Sequence, residues 1–209
     1  MINLEPALHS ALTKYSGGAP AEMARASGAT FELTEGCFVL PFLGTSYRVG
    51  FPGGKSSPDL SDQARILCLH YLTGVTGADR DAAAGPASPN DRLIAFRELP
   101  GGDIYTGPFT KRIVKPLVDS FARQPEALCR AAARLGGEQV KLGDFAARVP
   151  VFPHFSVTYV LWLSDDEFPA NGTVLFDASA KDYLSTEDCI VAAGEGLVKL
   201  RALADEDNH

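Results

Sequence analysis

The chain has 209 residues, 45% hydrophobic and 22% charged, ordinary proportions for a soluble globular protein with one substantial core or two small ones. A formal net charge of -7 argues against general nucleic-acid binding, because phosphate contacts need a basic face. No apolar run approaches the ~18 residues of a membrane span, and the N-terminus lacks the basic flank and apolar core of a secretory signal, so the cytoplasm is the expected compartment.

In chain order, residues 2–14 read as a helix, with Asn3 as cap, Pro6 in the first turn and Leu4, Leu8 and Leu12 on one face. Gly17 and Gly18 end it, and residues 20–26 continue as a short helical piece closed by Gly28. Three short strands follow at 30–33, 37–42 and 47–51. The turns between them, Glu35-Gly36 and Leu43-Gly44, make this a meander and hence antiparallel. Pro41 pushes its strand toward a sheet edge. Gly53-Gly54-Lys55-Ser56 invites comparison with a phosphate-binding loop. The match fails, because the leading glycine falls at Val49 and Pro58 interrupts the helix that should follow.

Ser61 caps the next helix, through Thr73, with Leu60, Ala64, Leu67, Cys68, Tyr71 and Leu72 on its core face. Residues 74–90, rich in Ala, Gly, Pro and Asp, read as a mobile loop. Residues 93–99 and 103–106 read as extended. A helix from Gly107-Pro108 to Arg123 should kink at Pro116, and Pro125 opens another helix that Gly136-Gly137 ends. Residues 140–149 read as extended.

The densest signal lies at 155–200. Tyr159 to Leu163 is apolar at every position, as an interior strand covered on both faces would be. Pro169 stops it, and Asn171-Gly172 is the strongest turn signal in the chain. Residues 173–176 resume as a strand, which gives a mid-sheet hairpin with an unusually long loop of about eight residues. Asp177 or Ser179 could cap a short turn. Ser185 with Asp188 resembles a capping box ahead of a helix in which Ile190, Val191, Gly194, Leu197, Val198 and Leu200 recur at helical spacing. Gly194 and Gly196 inside it allow close packing on the sheet, and residues 204–209 read as a frayed tail. The whole is expected to form one α+β domain over 1–209, a largely antiparallel sheet covered by helices.

The chemistry is sparse. Cys37, Cys68, Cys129 and Cys189 are scattered without metal or redox spacing, and buried free thiols are expected. Cys68 and His70 are two apart on a helix and face different directions, so they do not make a shared metal site. No metal is assigned and no cofactor is named. The candidate cleft residues are His70 with its neighbour Tyr71, Arg97 and Glu98, His154, Asp166 and Glu167 of the acidic turn, and Asp177. Arg97 is suited to clamp an anion, or else to pair with Glu98 and fix its loop. An inward Glu167 meeting His154 would give a His/carboxylate pair fit for base or ligand duty. The 165–167 acids could hold a hard cation, against the plainer reading of a solvated turn. Glu187 and Asp188 complement a helix dipole, and Asp177 caps a helix.

Several short runs occur together: Ala26-x-Gly28-Ala29, Leu40-x-Phe42-Leu43-Gly44, His70-Tyr71-Leu72, Phe96 to Gly102, Leu135-Gly136-Gly137, Leu161-Trp162, Asp166 to Pro169, Leu175-Phe176-Asp177 and Tyr183-Leu184 with Glu187-Asp188. Jointly, over most of the chain, they resemble the domain of unknown function 3786, a family of bacteria and archaea, largely anaerobes. Some of its members carry an added iron–sulfur module with clustered cysteines, and this chain has no such cluster. The resemblance implies a cytoplasmic single domain and carries no catalytic residue over. It makes a non-catalytic accessory protein, or one binding a small ligand or cofactor, in anaerobic redox metabolism the leading expectation. An enzyme with a His/Arg/carboxylate cleft and a structural interaction module are the alternatives. A protein partner or a small-molecule ligand is expected, not nucleic acid and not a membrane.

Overall fold

The computed structural model describes residues 3–74 and 92–206. The loop expected at 74–90 lies outside the described residues except for Gly74, the last residue of its helix. Two antiparallel sheets, rather than one, share a single apolar core with the helices.

The first half builds from helix α1 (Glu5–Ser16), α2 (Pro20–Ser27) and strands β1 (Thr30–Glu32), β2 (Cys37–Phe42), β3 (Thr45–Gly50) and β4 (Ser56–Ser57). Asn3 Oδ1 accepts the Glu5 N–H at 3.0 Å, the expected cap. The strands run as a meander in the order β1-β2-β3-β4. Pro41 sits inside β2 where β1 has already ended, since β1 pairs only as far as Val39, so its missing N–H costs no ladder bond there. Tyr15 of α1 closes the inner face, its hydroxyl donating to the Val49 carbonyl and its ring meeting Phe38 and Phe51. The glycine loop after β3 turns its carbonyls to Arg65, from Gly54 at 2.7 Å and Gly53 at 3.1 Å. Carbonyls aimed at a guanidinium are the reverse of an amide cradle for phosphate.

Helix α3 (Asp62–Gly74) packs on α1 and, from the second half, on α7 (Thr186–Glu206). The second sheet has the order β5-β9-β8-β7-β6, with β5 (Leu93–Ala95), β6 (Glu138–Gln139), β7 (Phe145–Phe152), β8 (Phe155–Trp162) and β9 (Asn171–Asp177). The expected hairpin is β8–β9, joined by the eight residues 163–170, and β8 is the central strand. Two details differ. Asn171-Gly172 is not a turn: both residues are in the ladder, opposite Trp162 and Leu161. Trp162 is not interior but 42% exposed, because it ends β8 where the sheet gives way to the loop. Strand β7 also starts later than expected, at Phe145, after an irregular 140–144.

Helices α4 (Gly102–Phe109), α5 (Lys115–Phe121) and α6 (Pro125–Arg134) fall between β5 and β6 in the chain. Residues 103–106, expected to be extended, are helical. Residues 96–98 form a 3-10 turn, and Gly101 at φ 71 reverses the chain into α4. The kink expected at Pro116 is a π-helical turn over Thr110–Val114, which absorbs the hydrogen bond that proline cannot give. Helix α7 continues to Glu206, beyond the expected fraying point, because Arg134 donates to the Leu203 carbonyl and pairs with Glu206 at 2.7 Å.

The sheets meet at the tip of the β2–β3 hairpin. Leu43 and Gly44 both have positive φ, 46 and 75, as a two-residue hairpin turn requires. A leucine there stores about 1–3 kcal/mol of strain. It is held by burial of its side chain and by its N–H donating to the Val151 carbonyl of β7 at 3.1 Å.

Helix α7 lies on the β8 face that carries Tyr159, whose buried hydroxyl donates to the Ala193 carbonyl at 2.7 Å. A Cβ at Gly196 would overlap that hydroxyl, whereas at Gly194 it would meet only the tip of Ile113 at 3.3 Å. Gly→Ala favours a helix by about 1 kcal/mol, but overpacking costs about 1–3 kcal/mol. We therefore expect Gly196→Ala to lower stability and Gly194→Ala to leave it level or raise it, read as shifts of the urea unfolding midpoint.

Candidate functional site

The structure does make a histidine–carboxylate pair, from partners that spacing did not suggest. His70 Nδ1 lies 2.8 Å from Asp188 Oδ1, across 118 residues of sequence. Asp188 is held by the capping box that starts α7. The Ser185 hydroxyl donates to Asp188 Oδ2 at 2.7 Å, and the Asp188 N–H donates back to Ser185 Oγ at 3.1 Å. The Thr186 hydroxyl next to them donates to the Pro100 carbonyl, which draws the 96–102 segment to the same helix end. The His70 side chain is 35% exposed and that of Asp188 only 13%. Burial raises the Asp188 pKa, but hydrogen bonds from His70 and Ser185, with the His70 charge, outweigh it and leave the carboxyl below its ordinary range. An imidazole oriented in this way through one nitrogen presents the other for proton transfer or ligation.

Tyr71, one residue on, faces inward. Its hydroxyl donates to the Ser27 carbonyl at 2.8 Å and accepts the His154 N–H at 3.1 Å. Its ring stacks on Phe152 at 4.1 Å, Phe152 stacks on Phe42 at 5.0 Å, and the Tyr183 ring lies 6.0 Å from that of Tyr71. The His154 ring packs near Tyr183 and against Gly28, where a Cβ would come within 2.8 Å of His154 Nε2. Gly28 also has φ 72, so the position requires glycine twice over. His154 is thus a packed residue at the joint between the two sheets.

Asp177 does not cap a helix with its side chain. It pairs with Arg148 at 2.9 Å, the two side chains being 5% and 13% exposed. Arg148 and Asp177 lie on the face of the second sheet opposite Tyr159, as alternation along β7 and β9 dictates. Arg148 escaped sequence reading because one arginine in an apolar strand names no partner. Arg97 stands exposed, and Glu98 fixes the segment without it, accepting the Ala95 N–H at 3.0 Å and facing Arg92 at 3.6 Å.

Asp166 and Glu167 lie elsewhere. His154 precedes β8 and Glu167 follows it, so the eight-residue strand, roughly 26 Å long at ~3.3 Å per residue, separates them. The proposed His154–Glu167 pair therefore does not form. Around the acidic turn, Asp165 Oδ1 accepts the Phe168 and Glu167 N–H groups at 2.7 and 2.9 Å, and these bonds hold its pKa below the ordinary range. Asp144 Oδ2 accepts the Leu163 N–H at 2.7 Å. The result is an open groove of about 690 Å³ lined by Asp144, Trp162, Leu163, Asp165, Phe168 and Pro169, with Phe168 67% exposed.

The cysteines are free, with Cys37, Cys68 and Cys189 buried and Cys129 half-buried. Burial, with Glu195 near Cys68 and Asp188 near Cys189, pushes both those thiols upward, away from the reactive thiolate. Among the described residues no group of three or more His, Cys, Asp or Glu is gathered as around a metal ion, and no helix is long and apolar enough to cross a membrane.

Compared with known proteins, residues 19–199 match the family model described as Domain of unknown function (DUF3786). The chain belongs to that family. Neither a curated protein nor a solved structure matches it.

Because Asp188 is more acidic folded than unfolded, its stabilising contribution is in full force above the unfolded carboxyl value near ~3.9. It is lost as the pH falls through the depressed folded value. Asp188→Asn should cost about 1–2 kcal/mol at neutral pH and flatten the acid limb of the stability–pH curve, measured by urea unfolding across the acid range.

Proposed function

We propose that this DUF3786 protein is a cytoplasmic accessory protein of anaerobic redox metabolism that works by binding, not by covalent chemistry. The anaerobic setting and the compartment rest on the family resemblance. The binding role rests on one observation above all, the groove beside Trp162 and Phe168. Large aromatic side chains left in water together, Trp162 at the end of the central strand and Phe168 on the loop after it, are costly unless something covers them. The backbone around them is tied down by Asp144 and Asp165, so the surface is rigid before any encounter.

A second reading, an enzyme, is favoured by the His70–Asp188 pair. There His70 would take up or deliver a proton while Asp188 and Ser185 hold its ring. His154, packed at the joint between the sheets, and Glu167, beyond the far end of β8, take no part in it.

Native mass spectrometry with metal analysis, on anaerobically purified protein, tests the first reading. A retained small molecule or a co-purifying partner, lost on substituting Trp162→Ala but kept in His70→Asn, is the expected result. Loss in His70→Asn alone, or the bare chain mass throughout, would count against it and toward the enzyme.

A further inference from the structure

We propose that the groove at the β8–β9 corner docks a positively charged, arginine- or lysine-bearing segment of a partner protein. This rests on the binding reading and gives it a chemical class.

The first argument is charge. The groove is lined by Asp144 and Asp165, the loop between its lining residues Asp165 and Phe168 adds the exposed Asp166 and Glu167, and the one base in segments 140–144 and 162–171 is Lys141, which lines the neighbouring cavity. The whole chain is acidic as well, at -7. Asp144 and Asp165 each use one carboxylate oxygen to hold the loop backbone, leaving the other for a donor from outside.

The second argument is the pairing of those carboxylates with exposed rings. Trp162, 42% exposed, and Phe168, 67% exposed, present aromatic surface in the same groove. A guanidinium is the group that satisfies both features at once, stacking on an aromatic face while its edge forks to a carboxylate. An acidic partner would be repelled, and an uncharged apolar segment would leave the carboxylates without compensation. The groove is open, about 690 Å³, and its two rings come from a strand end and a loop, a shape that suits a chain segment lying across it.

The sequence contains one tryptophan, so intrinsic emission reports on this groove directly. The experiment titrates the full chain with hexa-arginine, and with hexaglutamate and an uncharged hexaleucine–serine peptide as controls. Binding is followed by Trp162 emission and independently by anisotropy of the labelled peptides. A saturable response to hexa-arginine that weakens with added salt is expected, with neither control binding. By anisotropy, Trp162→Ala should weaken hexa-arginine about tenfold, as should Asp166→Asn with Glu167→Gln, whose exposed side chains the fold does not need. Diffuse attraction to an acidic protein would be insensitive to Trp162→Ala, and that result overturns the proposal. Binding of the uncharged or acidic peptide in place of hexa-arginine also overturns it, while leaving a binding groove in place. A ligand retained in native mass spectrometry with no Trp162 response to any peptide overturns it too, and moves the binding site elsewhere.

Discussion

The Tyr71 side chain is the contact on which the rest of the architecture depends. Its ring stacks closely on Phe152 and lies near that of Tyr183, and its hydroxyl serves the Ser27 carbonyl and the His154 N–H together. Those two backbone groups belong to the end of α2 and the β7–β8 turn, so one phenol bridges the N-terminal half and the second sheet. Each offset ring pair contributes about 0.5–1.5 kcal/mol beyond simple burial. A buried hydroxyl that fills two backbone valences also removes a desolvation cost of about 1–3 kcal/mol for each group otherwise unpaired.

Anchoring Tyr71 also sets the chemistry around it. Successive residues on a helix point about 100° apart, so fixing Tyr71 inward swings His70 to the flank where α7 begins. There Ser185 has already oriented Asp188. The joint that closes the core therefore aligns the histidine with its carboxylate. The acidic corner is independent of this device. It lies beyond the other end of β8 and is shaped by local Asp-to-backbone bonds, so the two candidate surfaces can differ in function without disturbing each other.

What sequence could reveal was local. The meander of the first sheet, the pairing of β8 with β9, the Ser185–Asp188 box and the Gly28 stop all follow from patterns within a few residues, and all are present. Family membership was also legible, from short motifs spread along the chain. Partner choice over distance was not. His70 finds Asp188 because α3 packs on α7, and Arg148 finds Asp177 by reaching across β8, which separates their strands; no periodicity in either segment encodes the other. His154 and Glu167 stay apart for a related reason: closeness in sequence across an extended strand is distance in space. The apolar neighbours of Trp162 point to an interior position, although a strand's last residue can emerge from the sheet. Residues 103–106 carry no clear helical stripe and are helical because Gly101 redirects the chain.

Leu43 carries a final consequence. Its left-handed backbone is tolerable only while the Val151 carbonyl receives its N–H and the second sheet surrounds its side chain. Pulled away from β7, the hairpin would relax into another turn and lose the register of the strands it joins. The first sheet thus has little autonomy, although its pairings are all between neighbours in sequence. Melting should proceed as one all-or-none event spanning both halves, with no separately surviving N-terminal fragment.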